Sequence, residues 1–347
     1  MKSRVQLLAG FILFVAACST KNAETDRSNL RFKLLSKEEC GIDFVNKLDY
    51  TEELNTYTFR NFYNGGGVGI GDFNLDGLQD IFFSGNLTSN KLYLNKGNLT
   101  FEDISEKAGV SPKGVWTTGV SIADVNADGY PDIYICKSGP PDTPNRFNQL
   151  FINNKDLTFT DRAKEFGLDF KGLSTHAAFF DYDKDGDLDC YLLNNSIRSV
   201  GNYDLRKDQR SIPDTLGGNK LLRNDGDLFV DVSQKAGIYT SQIGFGLGVT
   251  IGDLNKDSWP DIYVSNDFFE KDYLYFNNGD GTFTESIDDY MQEISMGSMG
   301  ADMADINNDG LPEIFVTEML PESDARLKTT SQFESWDKYL MNLENGY

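Results

Sequence analysis

The sequence predicts an all-β protein, a β-propeller assembled from repeated four-stranded sheets in which each repeat forms one blade. Three observations support this fold class. A nine-residue acidic motif recurs five times, apolar runs typical of β-strands flank every copy, and a β-hairpin pattern follows each of the first four copies. A single four-stranded sheet cannot cover both of its faces, so neighbouring repeats must pack against one another.

The acidic motif opens each repeat. Its copies occupy residues 72–80, 124–132, 181–189, 253–261 and 305–313, so successive starts are 52, 57, 72 and 52 residues apart. The third copy, DYDKDGDLD, has acidic residues at the alternating positions of an EF-hand calcium loop. An EF-hand also needs a glutamate at position 12, where this chain is apolar every time: Phe83, Ile135, Leu192, Val264 and Val316. Because β-type runs replace the two helices of an EF-hand, each loop is predicted to join two strands.

Flanking strands and hairpins complete the repeats. Runs such as GVGIG and GVTIG precede the loops, and runs such as IFF and IYV follow them. Two alternating apolar runs around an Asn/Gly/Asp turn, the pattern of a β-hairpin, then occupy residues 90–105, 148–163, 219–233 and 272–286. After the fifth loop no such hairpin is recognisable, and residues 321–347 place apolar side chains at helical spacing instead. Residues 41–63 are expected to add outer strands.

The five loops are candidate calcium sites. Side-chain oxygens at positions 1, 3, 5 and 9 point to one centre, and the backbone carbonyl of position 7 adds another oxygen. These ligands suit Ca²⁺ better than zinc or copper, and Mg²⁺ prefers a stricter octahedron with more water. The predicted ligands, for up to five Ca²⁺ ions, are Asp72, Asn74, Asp76, Leu78, Asp80, Asp124, Asn126, Asp128, Tyr130, Asp132, Asp181, Asp183, Asp185, Asp187, Asp189, Asp253, Asn255, Asp257, Trp259, Asp261, Asp305, Asn307, Asp309, Leu311 and Glu313. The alternative is an Asx-rich turn that binds no metal.

Two positions depart from the loop pattern. Ser258 replaces glycine at position 6 of the fourth loop, where the turn favours a permissive residue. Glu313 replaces aspartate at position 9 of the fifth loop and keeps the carboxylate on a longer side chain. The first change makes the turn harder to form, and the second puts the affinity in question rather than the chemistry.

Many of the acidic residues of the chain are clustered in these loops. The net charge is −22, from 54 acidic and 32 basic residues, and nearly a third of the acidic residues lie at odd loop positions. A chain this acidic is not expected to bind nucleic acid or an anionic membrane surface. The charge fits cation binding, although an acidic soluble exterior would give the same total.

The N-terminus predicts export. Two basic residues precede a short apolar run, which is too short for a comfortable membrane span and indicates a signal peptide over residues 1–17. The Val-Ala-Ala-Cys sequence ending at Cys18 resembles a bacterial lipoprotein box, so Cys18 is the predicted lipidation site and residues 18–41 a linker. The body is then extracytoplasmic, a lipoprotein of the bacterial outer membrane or cell surface held only by acyl chains. The alternative is an ordinary secretory signal with an incidental cysteine.

The loops, the GVGIGDF-type strand before them and hairpins such as LYLNKGNLTFEDIS together resemble FG-GAP/VCBS repeats. These are the calcium-loop blades of integrin α-chain propellers and of many bacterial surface proteins. More narrowly, YNGGGVGIGDFNLDGLQDIFFSGN and AAFFDYDKDGDLDCYLLNN are similar to secreted proteins that pair the propeller with a C-terminal ASPIC/UnbV segment. The resemblance implies a propeller over residues 42–347. Because such propellers usually have seven blades, it also implies that these five are part of a larger ring.

Function is less clearly marked. The chain has one histidine, His176, and no G-x-S-x-G, P-loop or H-E-x-x-H motif. The sequence therefore favours a binding, adhesion or scaffold module for a protein or a carbohydrate over an enzyme, and leaves the oligomeric state open. The alternative is an extracytoplasmic hydrolase or lyase that acts on polysaccharide. Two insertions, 138–147 and 196–219, are candidate contact loops, and the second carries a basic and aromatic set: Arg198, Tyr203, Arg206, Lys207 and Arg210.

Overall fold

The fold was obtained as a computed structural model, which describes residues 32–111, 116–140, 146–196, 209–226, 228–295, 297–319, 323–330 and 344. The described residues form four antiparallel sheets of four strands and a fifth sheet of two strands, here called blades one to five in chain order. The prediction of an all-β chain with four-stranded blades is confirmed. The predicted signal peptide, Cys18 and most of the 18–41 linker lie outside the described residues.

The strand bounds follow the repeats. Blade one contains β1 (Val68–Gly71), β2 (Asp80–Phe83), β3 (Lys91–Asn95) and β4 (Phe101–Asp103). Blade two contains β5 (Thr117–Ala123), β6 (Asp132–Lys137), β7 (Gln149–Asn153) and β8 (Phe159–Asp161). Blade three contains β9 (Ser174–Phe180), β10 (Asp189–Asn194), β11 (Lys220–Asn224) and β12 (Phe229–Asp231). Blade four contains β13 (Gly246–Gly252), β14 (Asp261–Asn266), β15 (Tyr273–Asn277) and β16 (Phe283–Glu285), and blade five contains β17 (Ser298–Ala304) and β18 (Glu313–Glu318).

Helical structure is confined to short pieces. The α-helices are α1 (Lys37–Cys40), α2 (Ser105–Ala108), α3 (Ile287–Tyr290) and α4 (Asp324–Thr330), and 3₁₀ turns cover Arg60–Tyr63 and Gln209–Ser211. In the part of the chain that the structure describes, no helix combines the length and the apolar character that a membrane crossing requires.

The blades meet in chain order through their first strands, called inner strands here. Strand β1 packs beside β5, β5 beside β9, β9 beside β13, and β13 beside β17. The inner strands run in the same direction, because the start of β1 meets the start of β5 and the end of β1 meets the end of β5. This is a propeller-like arrangement. It places all five acidic loops at one end of the array, and the beginnings of the inner strands at the other end.

Glycine allows the inner strands to approach closely at the end opposite the loops. A Cβ atom on Gly119 would lie 2.4 Å from the carbonyl oxygen of Thr175 on the next inner strand. A Cβ atom on Gly67 would lie 2.7 Å from the carbonyl oxygen of Thr118. Backbone atoms cannot yield as a flexible side chain can, so this packing requires glycine at these two positions.

The hydrophobic core lies between blades rather than within one. Between blades two and three, Tyr134 and Leu150 pack against Cys190 and Leu192, and the ring of Tyr134 meets Phe179 edge-on at 5.5 Å. Similar clusters fill the junctions between blades one and two, three and four, and four and five. The three described cysteines are buried and unbridged. Blades two, three and four are thus covered on both faces by their neighbours, as the repeat argument requires, whereas Ile70 of blade one and Phe315 of blade five are exposed.

The segment before β1 differs from the expectation. Residues 41–63 contain no strand; their 3₁₀ turn brings Phe62 and Phe59 into a cluster with Trp116 and Leu173 of blades two and three. The segment therefore packs across the array near its axis instead of extending a sheet edge. Alternation of polar and apolar residues cannot reveal this, because a short buried aromatic run fits a strand or a turn equally well.

Candidate metal centres

Each acidic loop is folded by its own position 1 carboxylate. In the second loop, Asp124 accepts hydrogen bonds from the backbone N–H of Asp128 at 2.9 Å and of Gly129 at 2.7 Å. The same pair of bonds forms in the other four loops, around Asp72, Asp181, Asp253 and Asp305. These contacts are four and five residues apart in the chain, so the motif itself encodes the turn.

Position 6 takes left-handed backbone angles, which explains its preference for glycine. Ser258 adopts the same conformation in the fourth loop, with φ of 72°, and its N–H still donates to Asp253 at 2.9 Å. The loop therefore keeps its shape despite the substitution, at the cost of some backbone strain.

The carboxylate at position 9, the first residue of the second strand, joins that strand to its loop and to the third strand. Asp132 is fully buried and accepts from the backbone N–H of Val125 at 3.0 Å and of Asn153, the last residue of β7, at 2.8 Å. Equivalent pairs of bonds are made by Asp80, Asp189 and Asp261. Glu313 in the fifth loop is partly exposed and accepts from Ile306 N–H and the Asn307 side chain. Position 9 is thus a latch within the blade as well as a candidate ligand.

Burial perturbs these position 9 groups. Loss of solvent raises the pKa of Asp132 to about 6, since its two backbone donors offset the desolvation only in part. The same cause raises the pKa of Asp189 to about 7, and the nearby charges of Asp183 and Asp187 add to it. A cation in the loop would oppose both effects, because it favours the ionised carboxylate.

An asparagine at the end of the third strand extends the latch to the next blade. The side-chain N–H groups of Asn153 donate to the carbonyl of Pro131 in its own loop and, at 2.9 Å, to that of Phe73 in the loop of blade one. Asn277 likewise bridges from blade four to the carbonyl of Tyr182 in the third loop, at 2.8 Å. Sequence reasoning missed these residues. The signal was present, since LYLN, LFIN, LLRN and LYFN all end in asparagine, but it was interpreted as hairpin-turn chemistry.

The third loop brings its acids together most closely. Oxygen atoms of Asp181, Asp183 and Asp189 all lie within 4.8 Å of one another. One oxygen each of Asp183 and Asp187 is buried without a hydrogen-bond donor among the described residues. Burial and neighbouring like charges raise the pKa of both carboxyls. Buried carboxylate oxygens that lack donors and face like charges fit a cation with oxygen ligands.

The other four loops have asparagine at position 3. Among their described residues, no three acidic side chains lie as close together as they do in the third loop. The amide of Asn74, Asn126 or Asn255 donates to the position 5 carboxylate of its own loop, at 2.8 to 3.1 Å. The backbone N–H at position 7 also donates to position 5, as it does in Leu78, Tyr130, Trp259 and Leu311. These loops are preformed turns with a carboxylate and an amide side by side.

The predicted contact loops are only partly described. Arg210 donates from Nε to Glu270 at 2.7 Å, and the Glu270 side chain is fully buried. Arg146, at the end of the 138–147 insertion, is buried and donates to the carbonyl of Gly139. Both arginines therefore serve internal packing rather than presenting a free cation. The other basic and aromatic residues of the 196–219 insertion lie outside the described residues.

Comparison with known proteins agrees with this architecture. A family model described as FG-GAP-like repeat matches residues 72–135 and 253–316, and each match runs from the start of one acidic loop to just beyond the end of the next. The chain therefore carries FG-GAP-like repeats on a propeller-like array of sheets, which confirms the broader part of the resemblance.

Among individual proteins, the chain is 29% identical over 219 residues to cartilage acidic protein 1 of Xenopus tropicalis, covering 61% of the chain and 30% of that protein. It is 28% identical over 203 residues to the Mus musculus protein of the same name, covering 58% and 29%. The chain thus spans less than a third of the length of these relatives. They agree with the narrower resemblance to ASPIC/UnbV-associated proteins.

Two solved structures are also similar. An Agrocybe aegerita lectin that recognises non-reducing terminal N-acetylglucosamine gives a TM-score of 0.39 at 17% identity, covering 71% of this chain and 59% of the lectin. The V. cholerae biofilm matrix protein Bap1 gives a TM-score of 0.36 at 13% identity, covering 72% and 34%. Neither similarity is close enough to support a conclusion about this chain.

Proposed function

We propose that this chain is a calcium-stabilised binding module, in which metal-loaded loops fix the blades and another surface contacts a protein or carbohydrate ligand. One observation carries the metal part. The third loop gathers three carboxylates within 4.8 Å and leaves two buried carboxylate oxygens without donors among the described residues. An arrangement of this kind costs free energy unless a cation neutralises it.

In the third loop Asp181, Asp183 and Asp189 would hold the ion, with Asp185 and Asp187 completing the oxygen set. The other loops would use their position 1, 5 and 9 carboxylates with the asparagine amide oxygen at position 3, as the sequence predicts. Because the position 9 carboxylates of the first four loops also bond backbone N–H groups of their own loop and of the third strand, an ion there would tie the loop to its blade. The role of the ion is structural.

Calcium dependence is tested by thermal unfolding in chelator and in increasing Ca²⁺, with Mg²⁺ as the comparison. An ion that binds only the folded state stabilises it by about 2.7 kcal/mol per site at a concentration one hundred times its Kd. We expect Ca²⁺ to raise the melting temperature and Mg²⁺ to raise it less. A melting temperature that responds to neither chelator nor Ca²⁺ refutes the metal assignment.

Export and anchoring through Cys18 are part of the proposal, as the leader sequence predicts. No specific observation favours the alternative of a polysaccharide hydrolase or lyase. The side chain of His176 lies near the axis of the array, and burial lowers its pKa. Among the described residues that line the same space there is no carboxylate to pair with it as general acid and base.

A further inference from the structure

A second feature lies at the end of the array opposite the acidic loops. The first residues of all five inner strands, together with the turn at residues 61–67, enclose a cavity of about 390 Å³. Blade one contributes Gly67, and the later blades contribute residues such as Thr118, His176 and Met299. The volume falls within the range of small-molecule binding sites.

Two hydrogen-bonding groups on the wall of this cavity have no partner among the residues that the structure describes. Trp116 is 3% exposed and Ser138 is 1% exposed, and neither the indole Nε1 nor the Ser138 Oγ forms a hydrogen bond with the described residues. An unpaired buried polar group destabilises a protein, so most such groups have a hydrogen-bond partner. Both groups line one cavity, and this points to a ligand that enters it.

The two groups are held in place by the surrounding structure. The backbone N–H of Ser138 donates to the carbonyl of Trp116 at 3.0 Å, so the two side chains leave adjacent strand ends. The indole ring packs edge-on against Phe59 at 5.0 Å and is tilted against Phe62 at 5.5 Å. Packing of this kind fixes the direction of the Nε1–H bond before any ligand arrives, which is how binding sites limit their entropic cost.

The chemistry of the wall defines the class of ligand. In a chain of net charge −22, none of the described residues lining this cavity is acidic, lysine or arginine. The wall offers amide side chains from Asn61 and Asn64, the free Ser138 hydroxyl and the indole N–H, while the Tyr63 ring is 67% exposed at the rim. Separate donors and acceptors without charge match hydroxyl groups, which both donate and accept. An exposed aromatic face suits the apolar side of a sugar ring.

We infer that this axial cavity binds a neutral sugar unit, with Trp116 Nε1 and Ser138 Oγ as its hydrogen-bonding anchors. The inference rests on the proposed role as a binding module and specifies its ligand. An anionic sugar is disfavoured because the wall supplies no cation, and the basic side chain nearest in sequence, Arg60, is engaged with Asn195 at 3.0 Å.

The test is a titration of calcium-loaded protein with the methyl glycosides of glucose, galactose, mannose and N-acetylglucosamine, followed by saturation-transfer NMR. We expect at least one glycoside to bind. Ser138→Ala and Trp116→Phe should each weaken that binding about tenfold, the effect of losing one hydrogen bond. Ser138→Ala should melt within a few degrees of wild type, since its hydroxyl makes no hydrogen bond within the described structure. Trp116→Phe also loses ring packing against Phe59 and Phe62, so its binding is measured well below its own melting temperature.

Ser265→Ala is the matched control. Ser265 is also fully buried with a hydroxyl that lacks a partner among the described residues, but it does not line the cavity. Its removal should leave glycoside binding unchanged. Equal weakening by Ser265→Ala would overturn the inference, because the effect would then be a general response to losing a buried hydroxyl.

Three other outcomes also overturn it. No glycoside binds while Ca²⁺ still raises the melting temperature; this result leaves the calcium proposal standing and shows that the two groups are satisfied by water. A glycoside binds with an affinity that neither variant changes, which places the sugar elsewhere. An uncharged peptide is bound and the glycosides are not, which assigns the cavity to a protein partner. Conversely, glycoside binding without a calcium response refutes only the metal assignment.

Discussion

Replacing Asp183 with asparagine should stabilise the protein in chelator, and calcium should remove most of that gain. The substitution gives the third loop the asparagine that the other four loops have at position 3. Without metal the substitution removes a charge from a cluster in which three carboxylates lie within 4.8 Å of one another. It also replaces a carboxylate whose buried oxygen has no donor among the described residues with a neutral amide. With metal it removes a charged ligand. A purely structural role for Asp183 would give the same change in both conditions.

The size of the effect follows from the distances. Two unit charges about 4.8 Å apart repel by about 1 kcal/mol in a water-like medium and by about 3.5 kcal/mol at the effective dielectric constant of a protein surface. Asp183 is partly exposed and faces two other carboxylates, so we expect a gain of about 2 kcal/mol in chelator. The experiment belongs at pH 8, where Asp189 is ionised despite a pKa raised to about 7. In saturating Ca²⁺ the variant should lose about tenfold in affinity at this loop, or about 1.4 kcal/mol, which leaves a net gain of only about 0.6 kcal/mol.

The assay is denaturant unfolding in chelator and in excess Ca²⁺, with free energies extrapolated to water. Asp156→Asn is the control, because this exposed aspartate accepts hydrogen bonds from Thr158 in the hairpin turn of blade two and belongs to no acidic loop. Its effect should be the same in both conditions. If Asp183→Asn destabilises the protein equally in chelator and in Ca²⁺, the cluster is not a cation site and the reasoning fails.

Three further changes test the blade contacts and the leader. Asn153→Ala should lower the free energy of unfolding by about 2–4 kcal/mol, because it removes hydrogen bonds to two backbone carbonyls, one of them in the neighbouring blade. In the same denaturation assay Asn154→Ala, which changes an exposed neighbour, should lower it by less than about 1 kcal/mol. Gly119→Ala should lower the free energy of unfolding by about 1–3 kcal/mol, because the new Cβ would lie 2.4 Å from a backbone oxygen. Gly244→Ala should leave it nearly unchanged, because the nearest atom to the new Cβ would lie at 4.0 Å. Equal effects of the two substitutions would contradict the packing argument. Cys18→Ser should abolish fatty-acid incorporation and detergent-phase partitioning without changing the melting temperature; unaltered partitioning would contradict the lipoprotein assignment.

How much the sequence could predict depends on how far apart the contacting residues are. The acidic loops were predictable because their hydrogen bonds join residues two to five positions apart, as between Asp124 and Gly129. The strands around them were predictable from alternation and from the apolar residue at position 12. The blade order followed from the repeat itself, since each sheet needs its neighbours to cover both faces.

The parts that sequence reasoning missed all depend on distant residues. Asn153 contacts the carbonyl of Phe73, 80 positions earlier, and no local pattern distinguishes that bond from a turn preference. Arg210 stood out as a basic residue in an acidic chain, but its partner Glu270 is 60 positions away. The axial cavity draws on all five blades, and its free indole N–H and hydroxyl become visible only when every other partner has been assigned.

The position of the loops relative to this cavity limits what calcium can do to it. Strand β9 begins beside the cavity at Thr175 and His176 and ends at Phe180, immediately before Asp181 of the third loop. At about 3.3 Å per residue the two sites are separated by roughly 15–20 Å. Strand β9 and its packing connect the two sites. Asp189 of β10 accepts backbone hydrogen bonds from Tyr182, two residues after β9, and from Asn224 of β11, and neither bond requires an ion.

We therefore expect chelator to lower the unfolding free energy while leaving the cavity formed in the molecules that stay folded. Glycoside affinity measured well below the melting temperature should fall less than about tenfold when Ca²⁺ is removed. A loss of a hundredfold or more under those conditions would mean that the ion sets the positions of the inner strands. The loops would then act as a switch for the binding site, rather than as supports that raise the stability of a site already built by the backbone.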